Sequence, residues 1–254
     1  MWEKLKGNSL YDFKVMIQDH HPNSTVRFAS SVAGQQGKSR HIMVLHWPHY
    51  NFLSYIGSMS IFHYNSSQKF DFEKNYVILK GFFSKPLLSK IHDKLSTTTF
   101  ENAEKIISEE VFFSEHLAEP LFMHHLLNLL NEADTLEYFR QLTGDKTLMK
   151  FYGRVYQMLN GSKNSFSWHP DTDSGKRFAL TVNISPTHFE GGDLWIRHKP
   201  TGHIEKIHNS GNGDAVLFLI DENYEHCVQP VHGDHPKYAV SGWYFDRDHG
   251  QGSK

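Results

Sequence analysis

From residue 148 to residue 246 the chain runs in short apolar–polar alternations. "LMKFYGRVYQML", "KRFALTVNIS", "GDLWIRH", "DAVLFLI", "EHCVQPV" and "KYAVSGWYF" are rich in β-branched and aromatic residues, and Gly, Asn, Asp and Pro separate them. A period of two over such short runs predicts strands, and their close succession predicts a sandwich or barrel. Upstream the period lengthens. "NYVILKGFF" reads as a strand and a turn, and "SKPLLSKIHDKL" follows as a helix. Ser84 is its N-cap, Pro86 lies in its first turn, and Leu87, Leu88, Ile91 and Leu95 share one face. A second helical region is expected over roughly 113–143, from the spacing of Leu117, Leu121, His124, Leu127 and Leu130. Pro120 divides it or lies in its first turn, and Gly144 stops it. The helices precede the strands instead of alternating with them, which argues against a doubly wound α/β sheet. The expected class is mainly β with flanking helices (α+β).

The N-terminal part follows no such rule. "MVLHWPHYNFLSYIGSMSIFHY" (43–64) is aromatic and β-prone, so strands are expected there. A buried strand is the plainer reading of 48–64, and a substrate entrance the bolder one. "AGQQGKSRH" (33–41) resembles a phosphate-binding loop, but its glycines are too close and no helix follows, so a flexible loop is expected. The division read from this is an extension of unknown role over 1–70, packed on the core, and a main domain over 71–254 with a frayed tail.

Composition narrows the classes. A net charge of −2 gives no basic face for nucleic acid or an anionic membrane. The one cysteine, Cys227, excludes an intrachain disulfide and fits a reducing cytosol. The first residues have no signal-peptide core, and no apolar run is of membrane-spanning length. A cytoplasmic protein is expected, with homo-oligomerisation left open.

Nineteen histidines are too many to be informative singly. The pattern "SWHPD" is informative: on an extended segment His169 and Asp171 would share one strand face. His226, at the start of a later strand, adds a second imidazole. Two imidazoles and a carboxylate are the facial ligand set of non-haem Fe(II) oxygenases, which leaves open positions for a chelating cosubstrate and O2. The H-E-x-x-H pattern of zinc hydrolases is absent. Lys237, on the next strand, is a cation for the distal carboxylate of such a cosubstrate. Asp173 is a weaker rival to Asp171, because "DTDSGK" reads as a loop. Cys227 should point away from any metal at His226. Trp243 reads as core, and His198, His203 and His208 as surface.

These pieces, in this order, resemble the 2-oxoglutarate/Fe(II)-dependent dioxygenase superfamily, in particular its prolyl-hydroxylase-like branch, over about residues 76–246. The resemblance implies a double-stranded β-helix, or jelly-roll, core with the metal at one mouth. It implies iron on His169, Asp171 and His226 and the 5-carboxylate of 2-oxoglutarate on Lys237. It offers Tyr156 and Thr181 as further cosubstrate contacts, each against a plain structural role. A retained Asp171 argues against the superfamily's halogenases. The implied reaction consumes O2 and 2-oxoglutarate, releases succinate and CO2, and hydroxylates an unactivated C–H bond, with ascorbate as a stimulant. The expected substrate is an amino acid, free or peptidyl, with proline-like residues among the options. Desaturation, epimerisation or cyclisation at the same centre stays open, as does a non-catalytic β-sandwich binding module.

Overall fold

The computed structural model describes residues 2–5, 12–16, 27–31, 41–44, 62–107, 110–117, 120–161, 165–172, 175–208 and 211–247. The readings made for 33–40, for 45–61, for Asp173 and for the tail lie outside the described residues. The chain divides into two compact units, Met1–Met59 and Ser60–Lys254. In the first, β1 (Trp2–Leu5), β2 (Asp12–Met16), β3 (Arg27–Ser31) and β4 (His41–Val44) form an antiparallel sheet in chain order.

The second unit includes Phe62 and Phe70, both buried, so its core takes in residues ahead of 71. Its first strand is β5 (Tyr76–Leu79). Helix α1 (Lys85–Leu95) follows, with Pro86 in its first turn and the Ser84 side chain accepting from the Leu87 N–H. Leu87, Leu88, Ile91 and Leu95 are all buried, and each such side chain contributes roughly 1.5–3 kcal/mol by leaving water.

Next come β6 (Phe100–Ile107) and β7 (Glu110–Leu117), a hairpin pairing Phe100 with Leu117 and Ile107 with Glu110. Residues 113–117, expected to be helical, are therefore strand. Their partner strand supplies a ladder that local helical spacing does not reveal. The helical region begins at Pro120 and is split into α2 (Pro120–Leu129) and α3 (Ala133–Thr143). Gly144, in the left-handed conformation, ends α3 as expected.

The remaining strands are β8 (Lys150–Met158), β9 (Phe166–His169), β10 (Lys176–Asn183), β11 (Glu190–Gly191), β12 (Leu194–His198), β13 (His203–Ile207), β14 (Ala215–Leu219), β15 (Tyr224–Val228), β16 (Val231–His232) and β17 (Lys237–Phe245). They make a seven-stranded sheet, β5-β14-β10-β17-β8-β7-β6, facing a four-stranded sheet, β13-β12-β15-β9, with β11 and β16 as a small third ladder. This is the expected jelly-roll.

Between the two sheets, Ala179, Val216 and Phe218 pack with Leu194, Ile196 and Ile207. The other face of the large sheet is covered by helix: Tyr244 and Phe151 lie in ring contact, and Phe139 of α3 sits 4.6 Å from the Tyr244 ring. Alternation thus gives β17 two working faces, one aromatic and helix-covered, the other turned to the interior with Lys237, Ala239, Ser241 and Trp243. β8 and β17 meet at a glycine pair, Gly153 opposite Gly242. A Cβ on Gly242 would lie 2.1 Å from the Tyr152 carbonyl oxygen and 2.4 Å from the Gly153 Cα. Only glycine fits so close an approach of backbone to backbone.

Candidate metal centre

His169 ends β9, and His226 lies directly opposite it on β15. The two imidazole centroids are 4.2 Å apart. Asp171 reaches the same point by a different route from the one the spacing suggests. The strand stops at His169, and Asp171 lies beyond it with φ of 54°. The two residues do not share a strand face. Pro170 has no N–H to extend the ladder, and aspartate is among the few residues that visit the left-handed region. The turn swings the carboxylate back over the two rings. Asp171 Oδ2 lies 3.8 Å from His169 Nε2 and 3.5 Å from His226 Nε2. One donor atom from each residue falls within 4.8 Å of the others, the one such group among the described residues.

The protonation pattern suits a metal. His169 Nδ1 lies 2.7 Å from the Ser167 carbonyl oxygen. That carbonyl can only accept, so Nδ1–H donates to it and the lone pair is left on Nε2. His226 is buried against the Phe218 ring, and burial, helped by neighbouring His169, pushes its imidazole down to about 3. It is therefore neutral near pH 7. Burial acts to raise the Asp171 carboxyl, but His226, His169, Lys176 and a Trp243 hydrogen bond together outweigh it and hold it below the ordinary range. Two imidazoles and one carboxylate are a sound donor set for a divalent first-row metal.

Two supporting residues were given no site role from the sequence. Trp243, read as core, donates from Nε1 to Asp171 Oδ2 at 2.7 Å. Lys176 Nζ is 3.7 Å from Asp171 Oδ1 and 4.1 Å from the centroid of the Trp243 ring. Both oxygens of the carboxylate are thus held. Trp243 shares the interior face of β17 with Lys237, and that even spacing was the available signal.

Lys237 is buried, with only 4% of its surface exposed. Its Nζ donates to the Gly192 carbonyl at 2.6 Å and lies 5.9 Å from the centroid of the Phe189 ring. Burial pushes it down to about 8. It opens on a cavity also lined by Thr181, Asn183, Leu194 and Val216. Tyr156 is buried beside Ala239 and hydrogen-bonded to Thr181, so Tyr156, Thr181 and Lys237 border one interior. Cys227 is buried, paired with Trp195 on the neighbouring strand, and its thiol is pushed up to about 11 by burial. His203 and His208 are exposed, bonded to Glu205 and Asp193, while His198 is half-buried opposite His203.

Residues 153–245 match the family model described as the 2OG-Fe(II) oxygenase superfamily. The fold is shared by solved structures. A 2OG-Fe(II) oxygenase family oxidoreductase from Burkholderia pseudomallei aligns with a TM-score of 0.54 at 16% identity, over 69% of this chain and 87% of that one. A prolyl hydroxylase from Trichoplax adhaerens, solved with a hypoxia-inducible-factor peptide fragment, gives 0.52 at 16% over 68% and 84%. A Pseudomonas putida prolyl-4-hydroxylase gives 0.50 at 16% over 68% and 93%. No curated protein sequence matches the chain. The family match is confined to residues 153–245, and the jelly-roll is the fold that the chain shares with these 2-oxoglutarate-dependent oxygenases. Enzymes of this class use Fe(II), 2-oxoglutarate and O2. No helix among the described residues is long and apolar enough to cross a membrane.

Proposed function

We propose that His169, Asp171 and His226 hold Fe(II), that Lys237 binds the distal carboxylate of 2-oxoglutarate, and that the enzyme hydroxylates an unactivated C–H bond of an amino acid, free or peptidyl. The observation that carries the metal assignment is the convergence of three donor atoms of the right chemistry at one point. When bound, the iron supplies the redox chemistry that couples decarboxylation of 2-oxoglutarate to oxidation of substrate.

The chain's own residues do the positioning. The Ser167 carbonyl keeps the His169 lone pair on Nε2. Trp243 and Lys176 hold the Asp171 carboxylate from both oxygens. Lys237 is a buried cation without a carboxylate partner in hydrogen-bond contact among the described residues. An incoming carboxylate would restore its proton affinity and gain a charge-assisted bond. Tyr156 and Thr181 offer hydroxyls on the same interior. The apolar packing of Phe166, Met158 and Phe189 keeps the surroundings dry. The amino-acid substrate is supported by the structural likeness to prolyl hydroxylases.

The test is an anaerobic titration. Fe(II) and then 2-oxoglutarate are added to the protein, and the weak visible charge-transfer band of the chelate is followed in wild type and in His226→Ala. A band in wild type that is missing in the variant is expected. A folded, iron-loaded wild type without a band would overturn the assignment.

A further inference from the structure

Arg154 lies on β8 in alternation with Tyr156 and Met158, whose side chains pack in the interior with Phe166. Its guanidinium carbon is 6.0 Å from the centroid of the Tyr156 ring and 5.8 Å from that of Phe166. Phe166 in turn lies 6.5 Å from the His169 ring, centroid to centroid. The cation is therefore within one aromatic ring of the metal ligands. It is half-buried, and burial lowers its proton affinity, opposed by Tyr156 and Asp171.

Among the described residues none hydrogen-bonds or ion-pairs with this guanidinium. Asp171 acts on it through space, but its oxygens are engaged by Trp243 and Lys176. A guanidinium carries five N–H donors in a planar fork that matches a carboxylate, and it cannot shed its charge. Held among rings and short of an acceptor, such a cation is kept at the cost of stability unless an anion arrives.

That anion is not the distal carboxylate assigned to Lys237. The strand register sets Lys237 opposite Met158 and Arg154 opposite Ser241. Four residues of strand separate the two levels, about 13 Å at the usual rise. The interior thus offers two cations at two depths, for two anions.

We propose that Arg154 is the docking point for a carboxylate of the substrate, held as a planar bidentate pair beside the iron ligands. The inference rests on the oxygenase reading of the triad and narrows its substrate class to a carboxylic acid, such as an amino acid with a free α-carboxylate or an acidic side chain. Arg154 positions the substrate, so that a given C–H faces the iron, and takes no part in bond making.

The experiment uses the full chain loaded with Fe(II) and 2-oxoglutarate. The probes are the common L-amino acids and their N-acetyl forms, each as the free acid and as the carboxamide. For glutamate and aspartate the side-chain amides are included. The readout is the stimulation of succinate release. In wild type at least one acid should stimulate about tenfold more than its amide, the size of a charge-assisted bond lost. In Arg154→Gln that acid-to-amide ratio should collapse to about one, and Arg154→Lys should recover part of it. The midpoint for 2-oxoglutarate, read from the visible band, should stay put in both variants. Equal stimulation by acids and amides, no stimulation by any acid, or a weakened 2-oxoglutarate midpoint in Arg154→Gln would each overturn the proposal. A wild type with no band at all fails as an oxygenase and takes this inference with it. A wild type with a band but no acid preference fails on Arg154 alone.

Discussion

Trp243 Nε1 donates to Asp171 Oδ2 at 2.7 Å, and this is the oxygen that lies 3.5 Å from His226 Nε2. The carboxylate oxygen proposed as a ligand is therefore held by an indole on β17. Hydrogen bonds behind a metal ligand fix its orientation, and their loss costs metal affinity. Trp243→Phe keeps a ring beside Lys176 but removes the N–H. Fe(II) affinity should fall roughly tenfold to a hundredfold, with little change in unfolding temperature. A metal titration of the two proteins decides it, and an unchanged Fe(II) affinity would leave Trp243 as core alone.

Lys237 makes a pH prediction. Burial pushes it down to about 8, while the carboxylates of 2-oxoglutarate stay ionised from neutral pH upward. Below about 8 the ammonium is present to receive the distal carboxylate, and as pH rises through that value the free protein loses the cation. Apparent 2-oxoglutarate affinity should therefore hold from pH 6.5 to about 8 and weaken above it, approaching about tenfold per pH unit at the limit. Lys237→Arg, whose charge does not titrate, should remove the pH dependence even if binding is weaker. Lys237→Met should bind 2-oxoglutarate poorly at every pH. A wild-type affinity flat to pH 9.5 would count against the assignment.

The left-handed turn at Asp171 separates backbone from side chain. Asp171→Ala and Asp171→Gly both delete the carboxylate and should both abolish turnover. They differ in that glycine adopts φ of 54° without cost, whereas alanine is strained there by about 1–2 kcal/mol. Denaturant unfolding should find the glycine variant more stable by about 1 kcal/mol. Equal stabilities would mean that the turn relaxes when the carboxylate is lost.

Gly242 admits no side chain. The atoms that a Cβ would strike are the backbone of Tyr152 and Gly153, not the end of a flexible side chain. Gly242→Ala must spread β8 from β17, at a cost of about 3 kcal/mol or more. Reduced soluble yield and an early denaturant midpoint are the expected signs, whereas Gly202→Ala, where nothing lies within 4 Å of the added atom, should lose only the smaller cost of its positive φ.

The core strands were legible because their alternation is strong and their ends carry turn residues, as in "KRFALTVNIS" and "KYAVSGWYF". Helix α1 was legible from Ser84, Pro86 and four leucine or isoleucine positions on one face. What escaped depends on partners distant in sequence. Residues 113–117 take their conformation from β6, and nothing local in "FFSEHL" announces that pairing. His169, Asp171 and His226 meet at one point, and Asp171 reaches it by a route that the spacing did not suggest, because a left-handed aspartate leaves no periodic trace. Trp243 was misjudged for the same reason: its hydrogen bond exists only once that turn has brought the carboxylate to it. Arg154 and Lys176 carry no motif, and only the strand pairing shows which interior they enter.

The opposition of His169 and His226 across one β-ladder has a consequence for how such a centre changes over time. The separation of those two donors is set by interstrand spacing, so it is inherited with the sheet and resists drift. The third donor rides on a turn outside any ladder. If the three residues hold a metal as proposed, replacing this one would alter the metal's open positions while the ladder stays intact. The centre is a rigid pair plus one exchangeable member, and new chemistry can be sampled at that single position without refolding the protein around it.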